Sequence, residues 1–156
     1  MNRLKELEKL GQSLWLDFLS REFLAGAEFQ RMITEDGLKG MTSNPSIFEK
    51  AFARGTDYDG DIRKLTEQGC GVGTIFRKLA VADIQRAADA FRPIYDRLNG
   101  ADGFISLEVS PYIAKGTDAT IAEAKSLWTE VNRPNLMVKV PATPEGLPAI
   151  RDLLGA

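Results

Sequence analysis

Four short apolar runs, separated by stretches with helical periodicity, are the feature that most restricts the fold of this chain. The runs occupy residues 13–18, 40–45, 104–110 and 136–140. Two neighbouring parallel strands need a long crossover connection, so strands that alternate with helices predict a parallel sheet. A chain of 156 residues is long enough for one compact domain with its own core. We therefore predict a single α/β domain.

The stretches between these runs have the apolar spacing of amphipathic helices. In residues 117–131 the predicted inward face holds Ile121, Ala124, Trp128 and Val131. The longest helix is predicted from about residue 74 to 98, with one apolar stripe formed by Ala80, Ile84, Ala87, Phe91, Tyr95 and Leu98. The other predicted helices cover residues 2–10, 21–35 with a break at Gly26, 46–52, 58–67 and 145–154.

Two scarce residue types exclude several kinds of catalysis within this chain. The sequence contains no histidine and a single cysteine, Cys70. It therefore cannot form a Ser-His-Asp or Cys-His centre, a histidine-ligated or multi-cysteine metal site, or an internal disulfide. An enzymatic reaction on this chain would depend on Lys, Asp, Glu, Ser, Thr and Tyr side chains.

The charge pattern argues against polyanionic partners. The net charge is −2, and the Lys and Arg residues are dispersed rather than clustered, so we expect neither nucleic acid nor a membrane surface as a partner. No apolar stretch approaches the length of a membrane span, and the first residues are charged, unlike a signal peptide. We expect a cytoplasmic protein.

Each of the four predicted strands carries a polar residue near its carboxyl end: Asp17, Asn44, Glu108 and Lys139. Parallel α/β folds place their functional sites at this end of the sheet. Strand alternation puts Ser106 and Glu108 on one face of the third run, and it puts Lys139 on one face of the fourth. We expect the four polar side chains to converge on one small site.

Lys139 lies inside an apolar run that predicts a buried strand. Desolvation disfavours the charged ammonium, and an uncharged amine can condense with a carbonyl to form an imine. Lys139 is therefore a candidate Schiff-base lysine. The alternative is a lysine on a sheet edge, where its charge prevents aggregation between strands.

The other three polar residues also have structural interpretations. Asp17 is suited to a helix N-cap or a salt bridge, and Asn44 before Pro45 is typical of a turn. Glu108 is suited to an ion pair with Lys139. Their occurrence at four successive strand ends favours chemistry instead: a lysine to form the imine, carboxylates as acid and base, and an amide to hold substrate hydroxyls. This chemistry needs neither a metal nor an organic cofactor.

Several motifs resemble the transaldolase family, specifically the longer bacterial type that also occurs fused to phosphoglucose isomerase. The most specific are Thr-Ser-Asn-Pro-Ser and Val-Lys-Val-Pro-Ala-Thr. The resemblance covers the whole chain in order and spacing, and its matching segments are residues 13–17, 35–40, 40–46, 105–109 and 137–143.

The resemblance implies a (β/α)8 barrel and a role for each strand-end residue. Lys139 would form the imine, Glu108 would assist through a water molecule, and Asp17 would be the acid/base for carbon–carbon cleavage. The implied substrate-binding residues are Asn44, Thr42 and Ser106. The implied reaction moves a dihydroxyacetone unit between ketose and aldose phosphates of the pentose phosphate pathway, namely fructose 6-phosphate, sedoheptulose 7-phosphate, glyceraldehyde 3-phosphate and erythrose 4-phosphate.

A complete barrel needs about 200 residues or more, so we expect this chain to hold its first four βα units. Such a half exposes two sheet edges and should self-associate or bind a complementary C-terminal half. Two alternatives to a transaldolase remain open: a catalytically idle half-barrel with a structural or assembly role, and a different Schiff-base aldolase.

Overall fold

One parallel sheet organises the chain. The computed structural model describes residues 2–54 and 56–156. The strands form in the order β1-β2-β3-β4, each parallel to its neighbour, which confirms the predicted topology. They are β1 (Leu14–Leu16), β2 (Leu38–Met41), β3 (Ile105–Glu108) and β4 (Leu136–Lys139).

Helices lie between successive strands along the chain, and a helix also follows the last strand. A π-helical turn follows α3 at Met32–Asp36, and a short 3₁₀ turn follows β3 at Pro111–Ile113. Within the described ranges the α-helices are α1 (Arg3–Lys9), α2 (Arg21–Ala25), α3 (Ala27–Arg31), α4 (Pro45–Arg54), α5 (Asp59–Glu67), α6 (Val72–Arg97), α7 (Thr117–Val131) and α8 (Gly146–Leu154).

Three local predictions differ from the structure. The helix predicted for residues 21–35 has the predicted break at Gly26, but its end differs, because the last turn at Met32–Asp36 is π-helical. The second strand begins two residues earlier than predicted and ends at Met41, because the residues after it bond to other elements. The prediction that Trp128 faces inward is wrong: it is half exposed, and Leu127 is buried instead.

The two faces of the sheet have different environments. Helix α6 packs against β2 and β3, and the face beneath it carries Met41, Ile105 and Leu107, all buried. The opposite face, which we call the inner face, carries alternate residues of β3 and β4 in register, Ser106 beside Met137 and Glu108 beside Lys139. This confirms the predicted strand alternation.

The prediction that Lys139 lies in a buried strand is wrong. Its side chain is 41% exposed, and Met137 on the same face is 42% exposed. Strand β4 is the last in the sheet order, and within the described residues no element covers its inner face fully. Within the described residues Lys139 therefore lies on an outer strand of the sheet, as the alternative interpretation expected, and its side-chain environment comes from its neighbours rather than from burial.

Gly40 leaves space for the Trp15 side chain on the neighbouring strand. It pairs with Trp15 across β1 and β2, and a Cβ at position 40 would overlap the Trp15 indole ring. We expect Gly40→Ala to lower the free energy of unfolding by about 1–3 kcal/mol, because the ring must move. Urea unfolding measures this loss. The matched control is Gly60→Ala in α5, where a Cβ meets nothing within 4 Å, and an equal loss in both variants would contradict the explanation.

Candidate active site

Asp17 and Thr42 lie side by side at the carboxyl ends of β1 and β2. The last paired residues of these strands are Leu16 and Met41. The Thr42 backbone N–H donates to the Leu16 carbonyl at 2.8 Å, which continues the ladder by one residue. The Thr42 hydroxyl then donates a hydrogen bond to the Asp17 carboxylate. The threonine thereby orients a carboxylate that is otherwise exposed to solvent.

Glu108 and Lys139 form an ion pair at the ends of β3 and β4. They are register partners, and the ammonium Nζ lies 3.2 Å from the Glu108 carboxylate. Both side chains are partly exposed, at 26% and 41%. Parallel pairing with alternating side chains brings them onto the same face. This geometry fits both the structural ion pair and a catalytic amine with a neighbouring acid/base.

Residues 43 and 44 link the second strand to the lysine and to the next helix. Besides its ion pair with Glu108, Lys139 donates a hydrogen bond to the Ser43 carbonyl at 3.1 Å. The Asn44 side-chain oxygen accepts from the Ile47 backbone N–H at 3.0 Å and caps the start of α4. Asn44 therefore has the role of a helix-starting turn residue in this structure, as its structural interpretation predicted.

Ser106 lies deeper on the inner face than the other predicted site residues. It is 3% exposed, and its side-chain hydroxyl is buried with no hydrogen-bond partner in the described part of the chain. Its backbone carbonyl accepts from the Ser43 hydroxyl at 2.7 Å. Four of the six predicted site residues thus form two contacting pairs, Asp17 with Thr42 and Glu108 with Lys139, and the segment from Thr42 to Asn44 runs between them.

Asp17 and Asn44 border one cavity of about 410 Å³, together with Lys50, Arg54 and Tyr58. Glu108 borders a second and more apolar cavity of about 640 Å³, between α4, α6 and α7. Lys139 lies on the inner face and lines neither of these two cavities. The six predicted residues therefore share one end of the sheet, but they do not line one enclosed pocket.

A buried polar cluster supports the wall of the first cavity. Asp83 of α6 is fully buried and accepts hydrogen bonds from the Tyr58 hydroxyl at 2.8 Å, Arg21 Nε at 3.1 Å and Arg86 Nη1 at 2.9 Å. The Tyr58 hydroxyl also accepts from the Arg21 backbone N–H at 2.9 Å. Because α2 begins at Arg21, the cluster fixes the end of the loop that carries Asp17.

This environment shifts the ionisation of two members of the cluster. Burial raises the pKa of the Tyr58 hydroxyl, and the negative Asp83 beside it raises this pKa further. Burial disfavours the Arg21 guanidinium, but the carboxylates of Asp61 and Asp83 more than offset that effect and raise the pKa of Arg21. At neutral pH the cluster is a neutral phenol and a guanidinium held by Asp83.

Two classes of feature are not found. Across residues 2–54 and 56–156, His, Cys, Asp and Glu side chains form no group of three or more that could hold a metal ion. Over the same residues, none of the helices has both the length and the apolarity needed to cross a membrane.

The sequence reasoning missed Ser43 and the Asp83 cluster. Ser43 lies inside the Thr-Ser-Asn-Pro-Ser motif, between two residues that were selected as site candidates. Asp83 lies next to Ile84 and three residues after Ala80, so it is an acid within the apolar stripe of α6. A buried carboxylate needs hydrogen-bond or ionic partners. An aspartate within an apolar stripe therefore indicates a buried polar cluster.

Comparison with known proteins assigns the family. The family model described as transaldolase/fructose-6-phosphate aldolase matches residues 14–156. The transaldolase of Trichodesmium erythraeum is 48% identical over 149 residues, which is 96% of this chain and 39% of that protein. The transaldolases of Thiobacillus denitrificans and Thermobifida fusca are 46% and 47% identical and cover 98% and 94% of this chain.

The chain spans about two fifths of the length of the curated relatives it matches, between 39% and 43% for these three. All four strands of the parallel sheet lie within the residues that the family model matches. The predicted fold class, barrel-type α/β with four βα units, is confirmed. The chain belongs to the transaldolase/fructose-6-phosphate aldolase family.

Proposed function

We propose that this chain is the part of a transaldolase that carries the imine-forming lysine. The observation that supports this most directly is the contact of Lys139 with Glu108, 3.2 Å apart at the ends of adjacent parallel strands. Condensation with a ketone needs an amine as the nucleophile and an acid/base to transfer protons, and Lys139 and Glu108 can provide both. The family match includes both residues.

In the proposed first step, the Lys139 ammonium gives a proton to Glu108, and the free amine adds to the carbonyl carbon of a ketose phosphate. One proton moves from the attacking nitrogen to the carbonyl oxygen, which gives a carbinolamine. Glu108, acting through a water molecule, protonates the hydroxyl that leaves as water, and an iminium ion remains on Lys139. The iminium ion is the electron sink, so we propose that no metal or organic cofactor takes part.

In the second step, Asp17 removes the proton of the substrate hydroxyl next to the bond that breaks. The electron pair of the carbon–carbon bond moves to the iminium nitrogen, an aldose phosphate leaves, and an enamine remains. The reverse sequence on an acceptor aldehyde completes the transfer. Thr42 orients Asp17 through its hydrogen bond, and we propose that Asn44, Thr42 and Ser106 bind substrate.

The proposed donors are fructose 6-phosphate and sedoheptulose 7-phosphate, and the proposed acceptors are glyceraldehyde 3-phosphate and erythrose 4-phosphate. This reaction belongs to the pentose phosphate pathway, and we propose a cytoplasmic location. The exposed inner face of β4, with Met137 at 42% exposure, supports assembly with a second copy or with a complementary C-terminal half. The dispersed charge supports neither a nucleic acid nor a membrane partner.

The main competing activity is aldol cleavage without transfer, because the description of the matching family also names fructose-6-phosphate aldolase. The test is incubation with fructose 6-phosphate, with and without erythrose 4-phosphate. A transaldolase forms sedoheptulose 7-phosphate only when the acceptor is present. Release of free dihydroxyacetone without an acceptor would identify an aldolase. Neither product from protein of verified mass would favour the idle half-barrel.

The proposed role of Asp17 predicts a specific separation of steps. We expect Asp17→Asn to form the borohydride-reducible adduct with fructose 6-phosphate, because the imine forms before Asp17 acts. Transfer should fall by about 10²–10⁴-fold, the usual contribution of a general base. Mass spectrometry and a product assay on the same sample measure the two steps. Unchanged transfer would reject this role.

A further inference from the structure

Ser43 joins three parts of the active site through two hydrogen bonds. Its side chain is fully buried, and its hydroxyl donates to the Ser106 carbonyl of β3 at 2.7 Å. Its own carbonyl accepts from Lys139 Nζ at 3.1 Å. Of the two neighbouring residues, Thr42 donates a hydrogen bond to the Asp17 carboxylate, and Asn44 caps the start of α4.

The hydrogen bond of the Ser43 hydroxyl is important because few backbone contacts join β2 to β3. These strands share the single register pair Met41 and Ile105 within the described residues, whereas β3 and β4 share four. The Met41 N–H donates to the Phe104 carbonyl at 3.1 Å. Beyond that point the Ser43 hydroxyl supplies the connection that a backbone N–H would supply in a regular ladder.

We propose that Ser43 is a positioning residue for Lys139, an inference that rests on the proposed function. The hydrogen bond from the Ser43 hydroxyl to the Ser106 carbonyl holds residue 43 against β3. It thereby fixes the position of the Ser43 carbonyl, which accepts a hydrogen bond from Lys139. A backbone carbonyl accepts a hydrogen bond but does not take the proton at neutral pH. Glu108, the charged group in contact with the amine in the described part of the chain, therefore removes the proton.

The hydrogen bond from Lys139 to the Ser43 carbonyl also restricts the orientation of the amine. A neutral amine keeps two N–H bonds and one lone pair. With one N–H held by the Ser43 carbonyl, rotation about the last side-chain bond of Lys139 is restricted, and the lone pair has a defined direction. Fixed orientation of a nucleophile contributes to rate without adding any new chemistry.

The experiment compares Ser43→Ala, which removes the hydroxyl, with Ser43→Thr, which retains it. Thr120→Val is the matched control, because the Thr120 side chain is also buried and its hydroxyl donates to a backbone carbonyl, that of Ile113 at 3.1 Å. The first readout is the rate of borohydride-trapped adduct formation with fructose 6-phosphate. We expect an about tenfold loss in Ser43→Ala, recovery in Ser43→Thr, and no loss in Thr120→Val.

The second readout does not depend on the sugar. Reductive methylation with formaldehyde at one pH, mapped by mass spectrometry, reports the reaction rate of each lysine separately, and the exposed Lys125 serves as the internal reference. In Ser43→Ala the methylation rate of Lys139 should fall, because the carbonyl that orients the amine is no longer held against β3, while the rate of Lys125 stays unchanged. If wild type forms no sugar adduct, the proposed function fails and this readout still tests Ser43.

A methylation rate of Lys139, relative to Lys125, that is identical in wild type and folded Ser43→Ala would overturn the inference. So would equal losses of trapping in Ser43→Ala and Thr120→Val, because that result would indicate a general effect on stability. If circular dichroism finds Ser43→Ala unfolded, Ser43→Cys replaces it with a weaker donor of similar volume. A loss of trapping in Ser43→Cys that exceeds the loss in Thr120→Val supports positioning, and wild-type behaviour of Ser43→Cys rejects it.

Discussion

Asp83→Ala should lower the free energy of unfolding by about 3–5 kcal/mol, the largest stability effect we expect from one substitution. Asp83 is fully buried and receives hydrogen bonds from Tyr58, Arg21 and Arg86. Removal of the carboxylate leaves the Arg21 guanidinium, whose side chain is 15% exposed, without its buried counter-charge. Urea unfolding followed by circular dichroism measures the change.

Tyr58→Phe is the matched control for this cluster. It removes one donor to Asp83 but leaves both arginines in place, so we expect a loss of about 1–2 kcal/mol. The cluster also holds the loop that carries Asp17, so Asp83→Ala should weaken the Asp17-dependent step at temperatures where the variant is folded. A loss in Asp83→Ala no greater than that in Tyr58→Phe would contradict the assigned charge pairing.

Lys139→Met should reduce the borohydride-trapped adduct with fructose 6-phosphate to background. Methionine has similar length and no amine, so the substitution removes the nucleophile while it preserves much of the side-chain volume. We expect a stability change within about 1 kcal/mol, because the ion pair with Glu108 is partly exposed. Intact-mass analysis detects the adduct, and thermal unfolding verifies the fold.

Lys125→Met controls for reactions of exposed lysines with sugar phosphates. Lys125 lies on the exposed side of α7, and its replacement should leave the adduct unchanged. An adduct that persists in Lys139→Met and disappears in another lysine variant would reassign the nucleophile.

The sheet topology and the face of each residue could be predicted from the sequence, because both follow from local patterns. Strict alternation in residues 104–110 correctly put Ser106 and Glu108 on the same face. The long helical crossovers between apolar runs indicated parallel pairing. Periodicity also predicted a helix at residues 117–131, and α7 has these bounds.

The burial of Lys139 could not be predicted, because it depends on what covers β4. An apolar run looks the same in a central strand and in an edge strand. Trp128 shows the same difficulty on a helix: a shift of one position on the helical wheel leaves it half exposed and buries Leu127. In both cases the tertiary environment decides, and the local sequence does not contain it.

The contacts within the site were partly predictable. The ion pair of Glu108 with Lys139 was anticipated as the structural interpretation of Glu108, and the observed register brings the two residues together. The contact between Thr42 and Asp17 and the role of the Ser43 carbonyl were not anticipated, because they depend on the turn after β2. Backbone carbonyls are present at every residue, so no sequence pattern singles out the one that binds a lysine.

The most direct test of the central claim is peptide mapping of the protein after borohydride reduction with fructose 6-phosphate. The claim is that Lys139 forms an imine with a ketose phosphate. We predict one covalent adduct per chain on the peptide that contains Lys139, and none in the sample without sugar. An adduct on another lysine, or no adduct on protein of verified mass and fold, would contradict the claim.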